Sequence, residues 1–333
     1  KCSFPSVTWP NHTTLVTGVE PGTHGVIANN YFDRKTKKTV PFIPDPLFDK
    51  HEIVKVPTVY DVAHRAGLKT AGVIWPASRN AKHLDWQLPD VFDQKIFESA
   101  STPSLLKELR AKGIPIEKQM EWCKMGNAGK AQRDWMYTRI AEHIITTHKP
   151  NFLAIHLVTV DSFEHATGRN TPEAYWACND SDNRVREIIE ATKQAGIYEN
   201  TAFVVAADHG FITYTNQIKP NVLLRQRGLL KSAGPRIVEQ KAYAQVQGGA
   251  AMVYILDEAN KQRIAKQLKN EFKKIPGMAA VIEPKDFDSV GQLTPEDDPR
   301  SPDLFLSAKD GYSFSGSAKG DDEVSAMSSP KGA

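Results

Sequence analysis

Three features of this sequence predict an α/β fold, a doubly wound and mostly parallel sheet sandwiched by helices. Strand-like apolar runs alternate with helix-like segments along much of the chain. The runs 152–158 and 202–206 are almost wholly apolar, as in parallel strands covered on both faces. Each run is followed by an Asp/His pair, and open parallel sheets build their sites outside the carboxyl ends of their strands.

Thr58 is placed as the N-cap of a helix that ends at Gly67. The run 69–75 then reads as a strand, stopped by Pro76. Spacing predicts a helix over about 131–147 with Met136, Ile140 and Ile144 on one face, ended by His148-Lys149-Pro150. After the strand 152–158, Thr171-Pro172 reads as N-cap and first residue of a long helix, closed by Gly196. Its inner face is expected to carry Cys178, Val185, Ile188, Ile189 and Thr192. Strand 202–206 follows, and beyond about 212 the pattern loosens. There 248–256 reads as a strand, about 258–274 as a charged helix, and 303–306 as a short strand. Residues 308–333 are rich in Ser, Gly, Lys and Asp and read as a flexible loop or tail. One catalytic domain is expected over 1–333, with an elaborated or inserted segment at about 212–302.

The chain has 333 residues, with 42 basic and 39 acidic side chains for a net charge of +3, so nothing in the charge points to nucleic-acid or membrane partners. No apolar run reaches the roughly 18 residues that span a bilayer. The chain opens at Lys1, which suggests a processed or cut beginning. Cys2, Cys123 and Cys178 allow one bridge at most and leave the compartment open.

The chemistry concentrates in three places. Asp161 and His165 offer a carboxylate oxygen and an imidazole nitrogen, ordinary zinc ligands. Their spacing suits one side of a helical turn, although Gly168 suggests a loop. Asp208 and His209 reach one cation only if the strand has ended and turned, which Gly210 would permit. Together the two motifs suit a pair of divalent cations. Thr8 stands before a helix expected to start right after it, with Pro10 in the first turn. Its hydroxyl needs a base or a metal to act as a nucleophile, and the helix start offers N–H groups to a phosphate. Taken singly, Asp161 also reads as a helix cap and Thr8 as a plain N-cap.

The other histidines receive plainer readings. His51, His64, His83, His143 and His148 read as surface residues, His156 as a satisfied core group, and His12 and His24 as structural hydrogen-bonding groups. The sequons at Asn11 and Asn179 fall in predicted helices and are discounted.

The block Thr8-Trp9-Pro10-Asn11-His12-Thr13-Thr14-Leu15-Val16-Thr17-Gly18, continued by Pro21-Gly22-Thr23-His24-Gly25-Val26-Ile27-Ala28-Asn29-Asn30, resembles the type I phosphodiesterase/nucleotide pyrophosphatase signature, in the alkaline phosphatase superfamily. Residues 72–76, Asp161 to His165 and Asp208-His209-Gly210 extend the resemblance to about residue 215, and it returns at 302–306. The resemblance implies a hydrolase of phosphate diesters that uses two zinc ions and a phosphothreonine intermediate. Thr8 falls on its nucleophile, Asp161 and His165 on ligands of one zinc, and Asp208 and His209 on ligands of the other, which also binds Thr8. Asn29 falls on the donor to a phosphate oxygen, and Trp9 on an aromatic that meets the nucleobase or leaving group. Trp75 belongs either to the same wall or to the core.

The family also has an Asp ligand on a strand before the nucleophile and a late His ligand in a Gly-x-His-Gly-like turn; neither occurs in these residues, so a fragment of a complete enzyme is expected. Phosphomonoesterase and phosphonoacetate hydrolase chemistry remain open, as does an inactive homologue that binds a phosphorylated ligand or partner. Sulfatase chemistry is disfavoured, because no Cys-x-Pro-x-Arg segment exists. A small phosphate ester or nucleotide is the expected substrate, and family members are commonly exported, so a periplasmic or extracellular location is expected.

Overall fold

The computed structural model describes residues 2–42, 48–234 and 236–333. The backbone forms two compact units. One comprises His12–Val19 and Phe42–Asp208; the other comprises Lys1–Asn11, Glu20–Pro41 and His209–Ala333.

The unit that contains Phe42–Asp208 is built on a parallel sheet of three strands, in the order Trp86–Pro89, Thr70–Trp75, Phe152–Ile155. The middle strand is buried at all six positions, as its apolar sequence requires. Ala71 and Val73 pack against Leu105, Leu109, Met136, Ile140 and Ile144. Trp75 packs with Val16, Tyr60, Leu84 and Ala154 in a separate cluster. Helices therefore cover both faces. The ladder shifts register between Val73 and Trp75, where Ile74 has φ 55°. Neighbours in a regular strand face opposite ways, and this break lets Val73 and Ile74 enter the same core.

Local signals set the helices here. Thr58 caps Val59–Arg65 through a capping box with Asp61. The predicted 131–147 helix runs from Gly126 to His148, and Met136, Ile140 and Ile144 are fully buried. Thr171 caps Pro172–Gln194, its hydroxyl accepting from the Ala174 N–H at 3.2 Å. The inner face of this helix matches expectation only in part: Thr192 is buried and Ile188 packs inward as expected. Its buried residues are Ala174, Ala177, Ala191 and Thr192, while Cys178 is exposed.

The unit that contains His209–Ala333 centres on an antiparallel sheet of four strands, in the order Met278–Ile282, Leu304–Ala308, Ala250–Ile255, Ala242–Gln247. Strand Ala250–Ile255 is buried throughout. Ala251, Val253 and Ile255 meet Ile264, Leu268 and Phe272 of the helix Lys261–Phe272. Met252 and Tyr254 point the other way, to Ile27, Phe32, Phe287 and Phe305.

Three expectations need correction. Residues 202–206 form no strand, and Val204 and Val205 are 89% and 76% exposed. An apolar run becomes a strand only where a neighbour supplies backbone partners, and among the described residues none pairs with it. The strand beginning at Phe152 stops at Ile155 rather than 158. The segment 308–333 contains strands Gly311–Phe314 and Val324–Gly332, both paired with Thr213–Ile218. Backbone pairing holds that mostly polar segment, with Phe314 and Ala318 buried in the core cluster, so composition hid it. All three cysteines are free thiols. Among the described residues, no helix is long and apolar enough to cross a membrane.

Candidate active site

Thr8 is the first residue of the helix Thr8–Thr17. The capping work at this end falls to another side chain. Asn29 Oδ1 accepts the Trp9 backbone N–H at 2.9 Å. With its oxygen so engaged, the amide has its Nδ2 donors left for other partners. Asn29 is held in turn, its own N–H donating to Gln247 Oε1 at 3.3 Å while Gln247 Nε2 donates to Asn30 O at 2.8 Å.

Asn11 fastens the segment before the helix. Its Oδ1 accepts from the Ser3 N–H at 2.7 Å, and its Nδ2 donates to Val7 O at 2.9 Å. His24 has the structural role its position suggested. It is fully buried, its Nδ1 accepts from the Val26 N–H at 3.2 Å, and it hydrogen-bonds the Pro10 backbone. Burial lowers its pKa to about 4, so the imidazole is neutral at physiological pH.

Asp161 and His165 lie one turn apart in the helix Thr159–Thr167, and the loop that Gly168 suggested opens only after it. His165 Nε2 and Asp161 Oδ1 are 3.4 Å apart, with the two side chains 53% and 42% exposed. Two such donors on one tetrahedral zinc, with bonds of about 2.1 Å, stand about 3.4 Å apart. The pair thus fits a shared cation and faces solvent.

Asp134 positions this helix, a role the sequence reading missed. Its fully buried carboxylate accepts from the Val158 N–H at 2.8 Å and the Thr159 N–H at 2.8 Å. These are first-turn donors that Val158, the capping residue, has no polar side chain to satisfy. Burial outweighs those donors and raises the Asp134 pKa to about 6. The signal available in the sequence was an acidic residue at 134 on the same helix face as the apolar Ala141 and Ile145.

Asp208 meets an unassigned partner. His12 Nδ1 lies 3.4 Å from Asp208 Oδ2, and the two side chains are 6% and 18% exposed. The His12 ring sits edge-on to Trp75 at 4.9 Å and 4.4 Å from the His156 ring. His156 is not the satisfied core group expected. Its Nδ1 is buried with no hydrogen-bond partner among the described residues. Burial, reinforced by His12, lowers its pKa to about 3.

His209 Nδ1 stands 3.1 Å from Gly210 O. A proton on Nδ1 in that contact makes Nε2 the lone-pair nitrogen, the tautomer a ligand histidine needs. Gly210 does not use the freedom assigned to it. It is not among the positive-φ glycines, and an added Cβ would meet nothing within 4 Å. Trp9 and Trp75 are both interior, at 1% and 9% exposure.

Comparison with known proteins identifies the family. The family model for type I phosphodiesterase / nucleotide pyrophosphatase matches residues 1–331. The chain belongs to the type I phosphodiesterase / nucleotide pyrophosphatase family. An uncharacterized pyrophosphatase/phosphodiesterase of Schizosaccharomyces pombe is 28% identical over 209 residues, covering 62% of this chain and 36% of that protein. Mouse ectonucleotide pyrophosphatase/phosphodiesterase family member 3 is 23% identical over 218 residues, covering 63% of this chain and 20% of its own. This family member therefore spans about a third or less of the curated relatives it matches.

Its fold is alkaline-phosphatase-like. Phosphonoacetate hydrolase from Sinorhizobium meliloti, solved with phosphonoformate, superposes with a TM-score of 0.67 at 17% identity, covering 99% of this chain and 76% of that one. Murine ectonucleotide pyrophosphatase / phosphodiesterase 5 gives a TM-score of 0.63 at 16% identity, with the same coverages.

Proposed function

We propose that this family member acts as a two-zinc hydrolase of phosphate diesters, of the nucleotide pyrophosphatase/phosphodiesterase kind, through a phosphothreonine intermediate. The observation that carries the reading is the family match over residues 1–331, with Thr8 at a helix start braced by Asn29. Asp161 with His165 would hold one zinc, and Asp208 with His209 and Thr8 the other. The ions would supply Lewis-acid polarisation of the hydroxyl and of a phosphate oxygen.

The chain's own groups do the rest. The Thr8 oxygen attacks phosphorus in line, the P–O bond to the leaving group breaks, the Thr8 proton leaves with the departing alcohol or to solvent, and the phosphoryl group, still carrying its other ester, rests on Thr8. Water then attacks phosphorus from the vacated side, the Thr8 O–P bond breaks, and the proton lost by the water restores the Thr8 hydroxyl. Asn29 Nδ2 and backbone N–H groups donate to the equatorial oxygens as charge builds. Two inversions give net retention at phosphorus. Trp9 and Trp75 enter as the aromatic wall, and their burial requires a ring edge to become exposed when substrate binds. Small phosphate esters or nucleotides are the substrates, within one catalytic domain elaborated at about 212–302. The ectonucleotidase names of the relatives support an exported, periplasmic or extracellular protein.

A second reading is favoured by one observation: a phosphonoacetate hydrolase shares the fold across 99% of this chain. Rates of the zinc-supplemented protein on bis-p-nitrophenyl phosphate, p-nitrophenyl phosphate and phosphonoacetate separate the readings. The diester is expected to be turned over fastest. Preference for phosphonoacetate would move the chain to the second reading, and silence on all three to a binding-only homologue.

A further inference from the structure

The helix Gly126–His148 ends on a group of side chains outside the proposed catalytic set. His143 Nε2 lies 2.8 Å and His148 Nε2 2.7 Å from the same oxygen, Glu108 Oε2, which is carried by the helix Pro103–Ala111. One ligand atom from each of the three lies within 4.8 Å of the others. Side-chain exposures are 9% for His143, 17% for His148 and 32% for Glu108, so the histidines are sheltered and the carboxylate opens to solvent. We propose that Glu108, His143 and His148 form a binding site for a divalent transition-metal cation of the zinc class, separate from the proposed catalytic ions.

Two imidazole nitrogens and one carboxylate oxygen, with an open fourth position, are a donor set zinc accepts. Tetrahedral bonds of about 2.1 Å set the donors about 3.4 Å apart. The two contacts to Glu108, at 2.8 and 2.7 Å, must therefore widen by about 0.6–0.7 Å, a change within side-chain adjustment.

The rings are already oriented. His148 stacks on Trp86 at 4.3 Å and 21°, and His143 Nδ1 lies 3.3 Å from Thr147 Oγ1. Thr147 Oγ1 can accept a hydrogen bond from Nδ1–H in the tautomer that leaves the Nε2 lone pair for metal, the outer-shell arrangement usual for ligand histidines. Both histidines sit in the last two turns of their helix, where its unpaired carbonyls favour a cation.

Trp86 supplies the readout. The chelator-treated protein is titrated with Co2+, and the Trp86 emission is taken as the difference from Trp86→Phe. Saturable quenching is expected, reversed by Zn2+, and absent in His143→Gln/His148→Gln whose circular dichroism matches the parent. Glu108→Gln, which leaves both imidazoles, should raise the half-quenching Co2+ concentration about tenfold or more. Quenching that persists in a folded double variant overturns the site. So does a shift below about threefold in Glu108→Gln, which alone decides the matter if the double variant does not fold.

Discussion

The Asn29 side-chain oxygen accepts the Trp9 backbone N–H at 2.9 Å, so the residue proposed to grip phosphate also fixes the helix start that carries Thr8. The two roles use opposite ends of one amide and can be separated. Asn29→Asp keeps the acceptor and removes the donor. It should retain thermal stability but lose about 100-fold in kcat on bis-p-nitrophenyl phosphate. Asn29→Ala should lose activity and about 1 kcal/mol of stability as well. A fully active Asn29→Asp protein would remove the donor role.

Thr8 sits at the first helical position, while the Trp9 N–H is capped from outside. Its replacement should therefore cost chemistry more than structure. Thr8→Ala is expected to abolish turnover while leaving bound zinc and the melting temperature close to the parent. Retention of most activity, measured with the diester, would return Thr8 to a structural reading.

The Asp134 cap is expected to matter for stability and, through Asp161 and His165, for metal. Asp134→Ala leaves the Val158 and Thr159 N–H groups buried without an acceptor, at a cost of about 2–3 kcal/mol. Elemental analysis should show less zinc retained after dialysis. Unchanged zinc with lowered stability would confine Asp134 to a packing role.

Acid should weaken the fold through His24. Its pKa is about 4 in the folded chain against an ordinary 6.5, so the unfolded chain binds the extra proton. Stability from this group is complete above pH 6.5 and is lost as pH falls toward 4, at about 1.4 kcal/mol per pH unit. His156, lowered to about 3, acts in the same direction over a wider window. Asp134, raised to about 6, opposes them, gaining stability as pH falls from 6 toward its ordinary value. Urea unfolding between pH 7 and 5 should show a net loss, and His24→Gln should remove about one histidine's share. An identical pH slope in that variant would contradict the burial argument.

Asp208→Asn should lose bound zinc and activity together if Asp208 is a ligand. Metal analysis that finds two ions retained would leave Asp208 only as the partner of His12, 3.4 Å away.

The sequence by itself determined whatever rests on neighbours along the chain. The Thr58 capping box, the buried stripe Met136, Ile140 and Ile144, and the i, i+4 spacing of Asp161 and His165 all follow from helical periodicity and local hydrogen bonding. The signature block from Thr8 to Asn30 was enough to point to the family. Only the tertiary structure decided what depends on distant partners. Asp134 caps a helix 24 residues away, and Asn29 caps one 20 residues back. Glu108 gathers two histidines that read singly as surface residues, from 35 and 40 residues on. Polar residues 324–332 become a strand, while apolar 202–206 does not. The reason is common to all of these: a backbone group or a carboxylate takes whichever partner the fold delivers, and periodicity carries no record of which that will be.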